Sequence, residues 1–140
     1  MDLHHLLESG EGRMKECQEC GRWGYVEGHH KVHKGRDKKG WDFPANMIDL
    51  CVDNHYGSKG PHRCYNKRLQ YMREVKDYLL ETLTEDYYLP EQLAAAIQLP
   101  MEQAYQVVKL LKVYDGGYRK EDIIFRLLGN RHEWVEKNAV

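Results

Sequence analysis

Gly28-His29-His30-Lys31-Val32, then Asn46-Met47-Ile48-Asp49-Leu50-Cys51, then Asn54-His55 and Gly60-Pro61-His62 are the residues on which the fold turns. Residues 23–33 mix aromatic and β-branched side chains between glycines and predict a strand or hairpin. Residues 34–40 are charged and Gly-bounded, hence a loop. Met47 to Val52 predict a second short strand, and Tyr56 to Gly60 a turn. Pro61 suits the first helical position, where its missing N–H costs nothing. Tyr65, Leu69, Met72, Leu79 and Leu83 recur at helical spacing with Lys76 filling the gap. That pattern predicts an amphipathic helix of about six turns. The order is strand, loop, strand, helix, with cysteines at the strand ends.

The chain has 140 residues, 31% charged and 41% hydrophobic. At roughly 100–200 residues per domain this is one domain or two small ones. The composition excludes wholesale disorder and collagen-like or mucin-like chains. Apolar runs such as Leu93 to Ile97 are far short of the roughly 20 residues a spanning helix needs, so no membrane association is expected. Residues 1–10 hold two acids and two histidines but no Lys or Arg, unlike a secretory leader. A cytoplasmic location is therefore expected.

The net charge of -1 hides an asymmetry. Residues 29–76 carry eleven Lys or Arg against five acids, and residues 77–140 carry seven against eleven. A basic section that also holds most of the histidines attracts polyanions such as nucleic acid. The acidic section implies a different role.

Four cysteines stand at 17, 20, 51 and 64. Reducing cytosol disfavours disulfides. Cys17-Gln18-Glu19-Cys20-Gly21 has the Cys-x2-Cys spacing that brings two thiolates to one tetrahedral ion, with Gly easing the turn. No βαβ pattern surrounds it, which argues against a thioredoxin-like redox pair. A second pair is broken, because Asn54 stands where a cysteine would follow Cys51. A structural zinc held by Cys17, Cys20 and Cys51 is expected, with Cys64 the remaining candidate for the fourth place.

Eight histidines are many for this length. His29 and His30 are adjacent on the first predicted strand, where successive side chains point to opposite faces. Asn46, His55 and His62 follow in order. A lone histidine is usually a surface or satisfied core residue. Four in this order, around an asparagine and inside a basic segment, point to a site.

These residues resemble the HNH endonuclease motif, over about residues 14–76. The resemblance implies a ββα-metal core with a structural zinc, in an α+β chain, and is similar to small HNH proteins of bacteriophages and prophages. The implied activity is metal-dependent hydrolysis of DNA phosphodiester bonds. It implies that His30 is the general base, that His29, His55 and His62 bind a catalytic divalent ion, and that Asn46 holds His30 and its loop in register. The ion would be Mn2+, Mg2+, Ni2+ or Zn2+; imidazole suits the transition metals better than Mg2+. Lys59 and Arg63 are candidate phosphate contacts for a DNA partner. Every implied ligand precedes Asp86, so cleavage is expected to reside in the N-terminal part. The alternative is a zinc-stabilised DNA-binding regulator that keeps the fold and does not cut.

The expected segments are an HNH domain over 14–84 and a small all-α, helix-turn-helix-like domain over 87–130. Pro90 opens one helix, Gln98-Leu99-Pro100 makes a turn, residues 101–113 form a second helix ended by Gly116-Gly117, and residues 119–128 form a third. Most DNA-reading modules are basic. This section is acidic, so docking of another protein competes evenly with DNA binding.

Overall fold

The computed structural model describes residues 13–34, 39–61 and 63–130. His62, residues 1–10, and His132 and Trp134 lie outside the described residues. The chain is mixed α+β. In order it holds β1 (Arg13–Glu16), β2 (Trp23–His30), a 3-10 turn (Pro44–Asn46), β3 (Met47–Cys51), α1 (Val52–Tyr56), α2 (Tyr65–Thr82), β4 (Tyr87–Tyr88), α3 (Pro90–Ile97), α4 (Met101–Val108), β5 (Val113–Tyr114), β6 (Gly117–Arg119) and α5 (Lys120–Leu127). It divides into two compact units, one containing residues 13–29 and 47–70, the other residues 30–46 and 71–130. That division cuts across the expected segments 14–84 and 87–130.

The first unit is built on the sheet β1-β2-β3. β1 pairs antiparallel with β2, Arg13 opposite Val26 and Glu16 opposite Trp23. The turn between them closes through Gly21 N–H to Cys17 O at 2.7 Å and Cys17 N–H to Arg22 O at 2.9 Å. Gly21 sits at φ +77°, a left-handed conformation that glycine takes without steric cost. Gln18 ties this turn to β3: its N–H donates to Asp49 O at 2.9 Å, and its Oε1 accepts from Asp49 N–H at 2.7 Å. Ile48, Asp49, Leu50 and Cys51 are all buried, so β3 is covered on both faces. The buried Asp49 carboxylate is met by Arg13 at 2.6 Å and Lys15 at 3.2 Å. A buried charge needs such partners.

The second unit has the larger apolar core. Leu79 and Leu83 come from α2 and the residue after it, Leu93 and Ile97 from α3, Val107 from α4, and Ile123 and Leu127 from α5. Each such side chain contributes about 1.5–3 kcal/mol by leaving water. The loop 30–46 belongs here too. Its Phe43 stacks on Tyr78 with ring centroids 6.3 Å apart. Its buried Trp41 has Lys34 Nζ 4.1 Å and the Arg126 guanidinium 5.3 Å from the ring centroid.

Four element expectations are corrected. The first strand ends at His30, not 33; His33 makes only an isolated bridge with Gly40. α2 begins at Tyr65, not Pro61, because residues 57–61 are still turning, and its buried face is Tyr71, Met72, Val75, Lys76 and Leu79. Tyr65 is exposed. The second C-terminal helix stops at Val108, since Leu110 and Val113 face solvent. The C-terminal section is not all-α: it carries the antiparallel sheet β4-β6-β5. Asp115-Gly116 between Tyr114 and Gly117 is a hairpin turn, a pattern that demands positive φ. Gly116 has φ +102° and Gly117 φ +123°. A Cβ on Gly117 would lie 2.5 Å from Tyr88 O, so only glycine lets β6 approach β4.

Candidate functional site

Three cysteines converge in the first unit. The ligand atoms of Cys17, Cys20 and Cys51 all lie within 4.8 Å of one another. Cys17 comes from the end of β1, Cys20 from the Gly21 turn, and Cys51 from the end of β3. Cys17 and Cys51 are buried and Cys20 is exposed. The Cys20–Cys51 sulfur separation is 3.9 Å. A tetrahedral ion with Zn–S near 2.3 Å sets its sulfurs about 3.8 Å apart. The donor set therefore fits a soft divalent metal.

Cys64, expected as a fourth-ligand candidate, is not part of this group. Asn54 Oδ1 takes the adjacent position, 3.3 Å from Cys17 Sγ and 3.1 Å from Cys51 Sγ. Asn54 sits one helical turn after Cys51 on α1, which returns its side chain to the thiols. The Cys17 thiol is pushed up by burial, yet hydrogen bonds from the backbone of Cys51, Cys20 and Glu19 outweigh this and bring it to about 7. The Arg22 backbone draws Cys20 down, but desolvation and the neighbouring thiols of Cys17 and Cys51 leave it raised.

Two histidines meet in the same unit. His29 Nδ1 lies 3.1 Å from His55 Nε2, with both residues buried and the rings edge-on at a centroid distance of 4.8 Å. Two imidazole nitrogens on one tetrahedral ion with Zn–N near 2.0–2.1 Å stand about 3.3 Å apart. The pair fits that spacing. His55 Nδ1 is 3.6 Å from Glu27 Oε2, which also accepts from Tyr56 OH at 3.0 Å. Desolvation and the Glu27 carboxylate raise the Tyr56 hydroxyl.

His30, the next residue on β2, takes different partners, in the second unit. Its Nε2 lies 2.6 Å from Asp42 Oδ1. Burial pushes the Asp42 carboxyl up, but hydrogen bonds from His30 and Gln103 and the charges of His30 and Lys34 hold it below the ordinary value. Asn46 is fully buried and staples the loop that follows His30. Its Oδ1 accepts from Val32 N–H at 2.9 Å, and its Nδ2 donates to Val32 O at 3.1 Å and Trp41 O at 2.9 Å. The side chain thus bonds both arms of the loop, while His30 itself is held by Asp42. Lys59 and Arg63 are exposed in the segment between α1 and α2.

Sequence reasoning did not single out Glu27, Asp42 or Gln103. Glu27 stands two residues before His29, the spacing that shares a strand face, so a signal was present. Gln103 is 61 residues from Asp42 and carried none.

Comparison with known proteins matches no family model, no curated protein and no solved structure. Among the described residues, no helix is long and apolar enough to cross a membrane.

Proposed function

We propose that the chain is a metal-dependent endonuclease of the HNH type that hydrolyses DNA phosphodiester bonds. The observation that carries this reading is the buried approach of His29 Nδ1 and His55 Nε2 to 3.1 Å; the next residue in sequence, His30, has a carboxylate on its ring. Paired buried imidazoles at that spacing are a ligand set. An imidazole backed by Asp42 is a general base. A divalent ion bound by His29 and His55 would polarise the scissile phosphate and stabilise the leaving oxygen. His30 takes a proton from water, Asn46 keeps the loop after His30 in register, and Lys59 and Arg63 offer phosphate contacts. Cys17, Cys20 and Cys51 with Asn54 hold a structural zinc that fixes the ends of β1 and β3, from which α1 and His55 follow. The basic charge of residues 29–76 favours DNA over a neutral substrate.

Incubation of the full chain with supercoiled plasmid tests this. Nicking is expected with Mn2+, Ni2+ or Mg2+ and none with chelator. Intact plasmid under every metal would overturn the reading.

A further inference from the structure

We propose that Asp42 and Gln103 are positioning residues that set the tautomer of His30, so that its Nδ1 is the atom that accepts the proton. This rests on the nuclease reading above.

The three side chains form a chain of hydrogen bonds across one unit. Gln103, on α4, holds Asp42 at two points. Its Oε1 accepts from the Asp42 backbone N–H at 2.7 Å, and its Nε2 donates to Asp42 Oδ2 at 2.7 Å. The other carboxylate oxygen, Oδ1, faces His30 Nε2 at 2.6 Å. The double contact fixes both the backbone and the carboxylate plane of Asp42, so Oδ1 cannot swing from the ring without breaking the Gln103 bonds.

The tautomer follows from donor and acceptor counting. An ionised carboxylate has no proton and can only accept. The hydrogen bond therefore requires the proton on His30 Nε2. In a neutral imidazole the lone pair is then on Nδ1, the basic nitrogen. The water proton moves to Nδ1, giving an imidazolium whose charge lies beside the Asp42 carboxylate. A carboxylate behind a histidine in this way orients the ring and stabilises the charge that forms on it.

The ring also needs the absence of a side chain at Gly40. A Cβ added to Gly40 would fall 2.6 Å from His30 Cγ and 2.7 Å from its Cβ and Cδ2. These are the inner atoms of the side chain, so the ring cannot move aside cheaply. Gly40 thus leaves the space in which Asp42 sets the ring. The acidic C-terminal section, through Gln103, becomes part of the machinery that readies the base.

The test has two readouts on the full chain. The first is the His30 tautomer, read from 15N chemical shifts of the assigned ring. The second is single-turnover nicking. The native ring is expected as Nε2–H. Asp42→Asn should populate Nδ1–H and slow nicking roughly 10²–10⁴-fold, the range for impairing a general base, with DNA affinity unchanged. Asp42→Glu should restore Nε2–H and part of the rate. Gln103→Ala should give a mixed tautomer and a smaller loss, which guards against a folding defect in the Asp42 variants. A native Nδ1–H ring, or a tautomer unmoved by Asp42→Asn, overturns the inference whatever the chain does to DNA. The expected tautomers with no nicking by the native chain overturn instead the nuclease reading on which it rests.

Discussion

The two units solve the problem of stability by different means. In the first, the buried apolar side chains among the described residues are Val26, Ile48, Leu50 and Pro61, with Cys17 and Cys51. The buried polar ones are His29, Asp49 and His55. On the proposed reading, a metal ion on the three thiols beside Asn54 adds to what this burial supplies. Metal binding supplies folding free energy directly when the unfolded chain has no preformed site. In the second unit, α2, α3, α4 and α5 bury leucines, isoleucines and valines in the ordinary way, together with Trp41 and Phe43 of the loop 30–46. On that reading one unit is held by ligands and the other by packing, and the division falls between His29 and His30.

Metal removal should separate them most sharply. Structural zinc sites contribute about 10–16 kcal/mol of apparent free energy in small domains. Chelation should therefore expose the amides of residues 13–29 and 47–61 to hydrogen exchange while those of α3 and α5 stay protected. Equal loss of protection in both would end the distinction. Native folded protein should carry zinc by elemental analysis, and Cys64→Ser should keep it while Cys51→Ser should not.

The packing of the second unit should respond to core truncation and ignore chelator. Leu127→Ala should cost about 2–5 kcal/mol in denaturant unfolding of that unit. Leu127 is fully buried. A loss that appeared only after metal removal would show that the units are not independent in their stability.

Asn46→Ala should cost about 1–3 kcal/mol, because it leaves Val32 N–H, Val32 O and Trp41 O without their partner. The effect should fall on exchange of the loop amides rather than on zinc content. A change in zinc content without a change in loop exchange would assign Asn46 to the wrong unit.

A change of similar size in the opposite direction is expected at Lys76. Lys76 is buried on α2, and its Nζ has no hydrogen-bond partner among the described residues. Burial lowers its pKa, against a smaller opposing pull from Asp77. Between that lowered value and the ordinary lysine range the unfolded chain binds more protons than the folded one, so stability rises with pH across that window. Lys76→Met should raise stability by about 1–3 kcal/mol near neutral pH. It should also flatten the alkaline rise. A destabilised variant would mean that the ammonium is satisfied.

The parts of this arrangement that were legible in the sequence are those written in short spacings. Cys17 and Cys20, the His29-His30 pair, Asn46, and Cys51 ahead of His55 announce themselves because each acts within a turn or a strand end. The strand–loop–strand–helix order follows from the same stretch. For Cys64 residue type was visible and direction was not; Asn54, one helical turn from Cys51, reaches the thiols. The β5–β6 hairpin is readable at Asp115-Gly116, but two adjacent glycines serve a helix stop equally well. The partnership of Asp42 with Gln103 was not readable at all, since no local pattern records a contact 61 residues apart. It also changes one expectation: a chain cut after Asp86 keeps every proposed ligand yet loses Gln103 and Arg126, so it should cleave poorly rather than normally.

The central claim is that His30 is a base in a metal-dependent nuclease. Single-turnover nicking of plasmid by His30→Ala, alongside the native chain at matched zinc content and matched circular dichroism, tests it most directly. The account predicts metal-dependent nicking by the native chain and a roughly 10²–10⁴-fold loss in the variant, with unchanged DNA affinity. Nicking by His30→Ala at the native rate would contradict it.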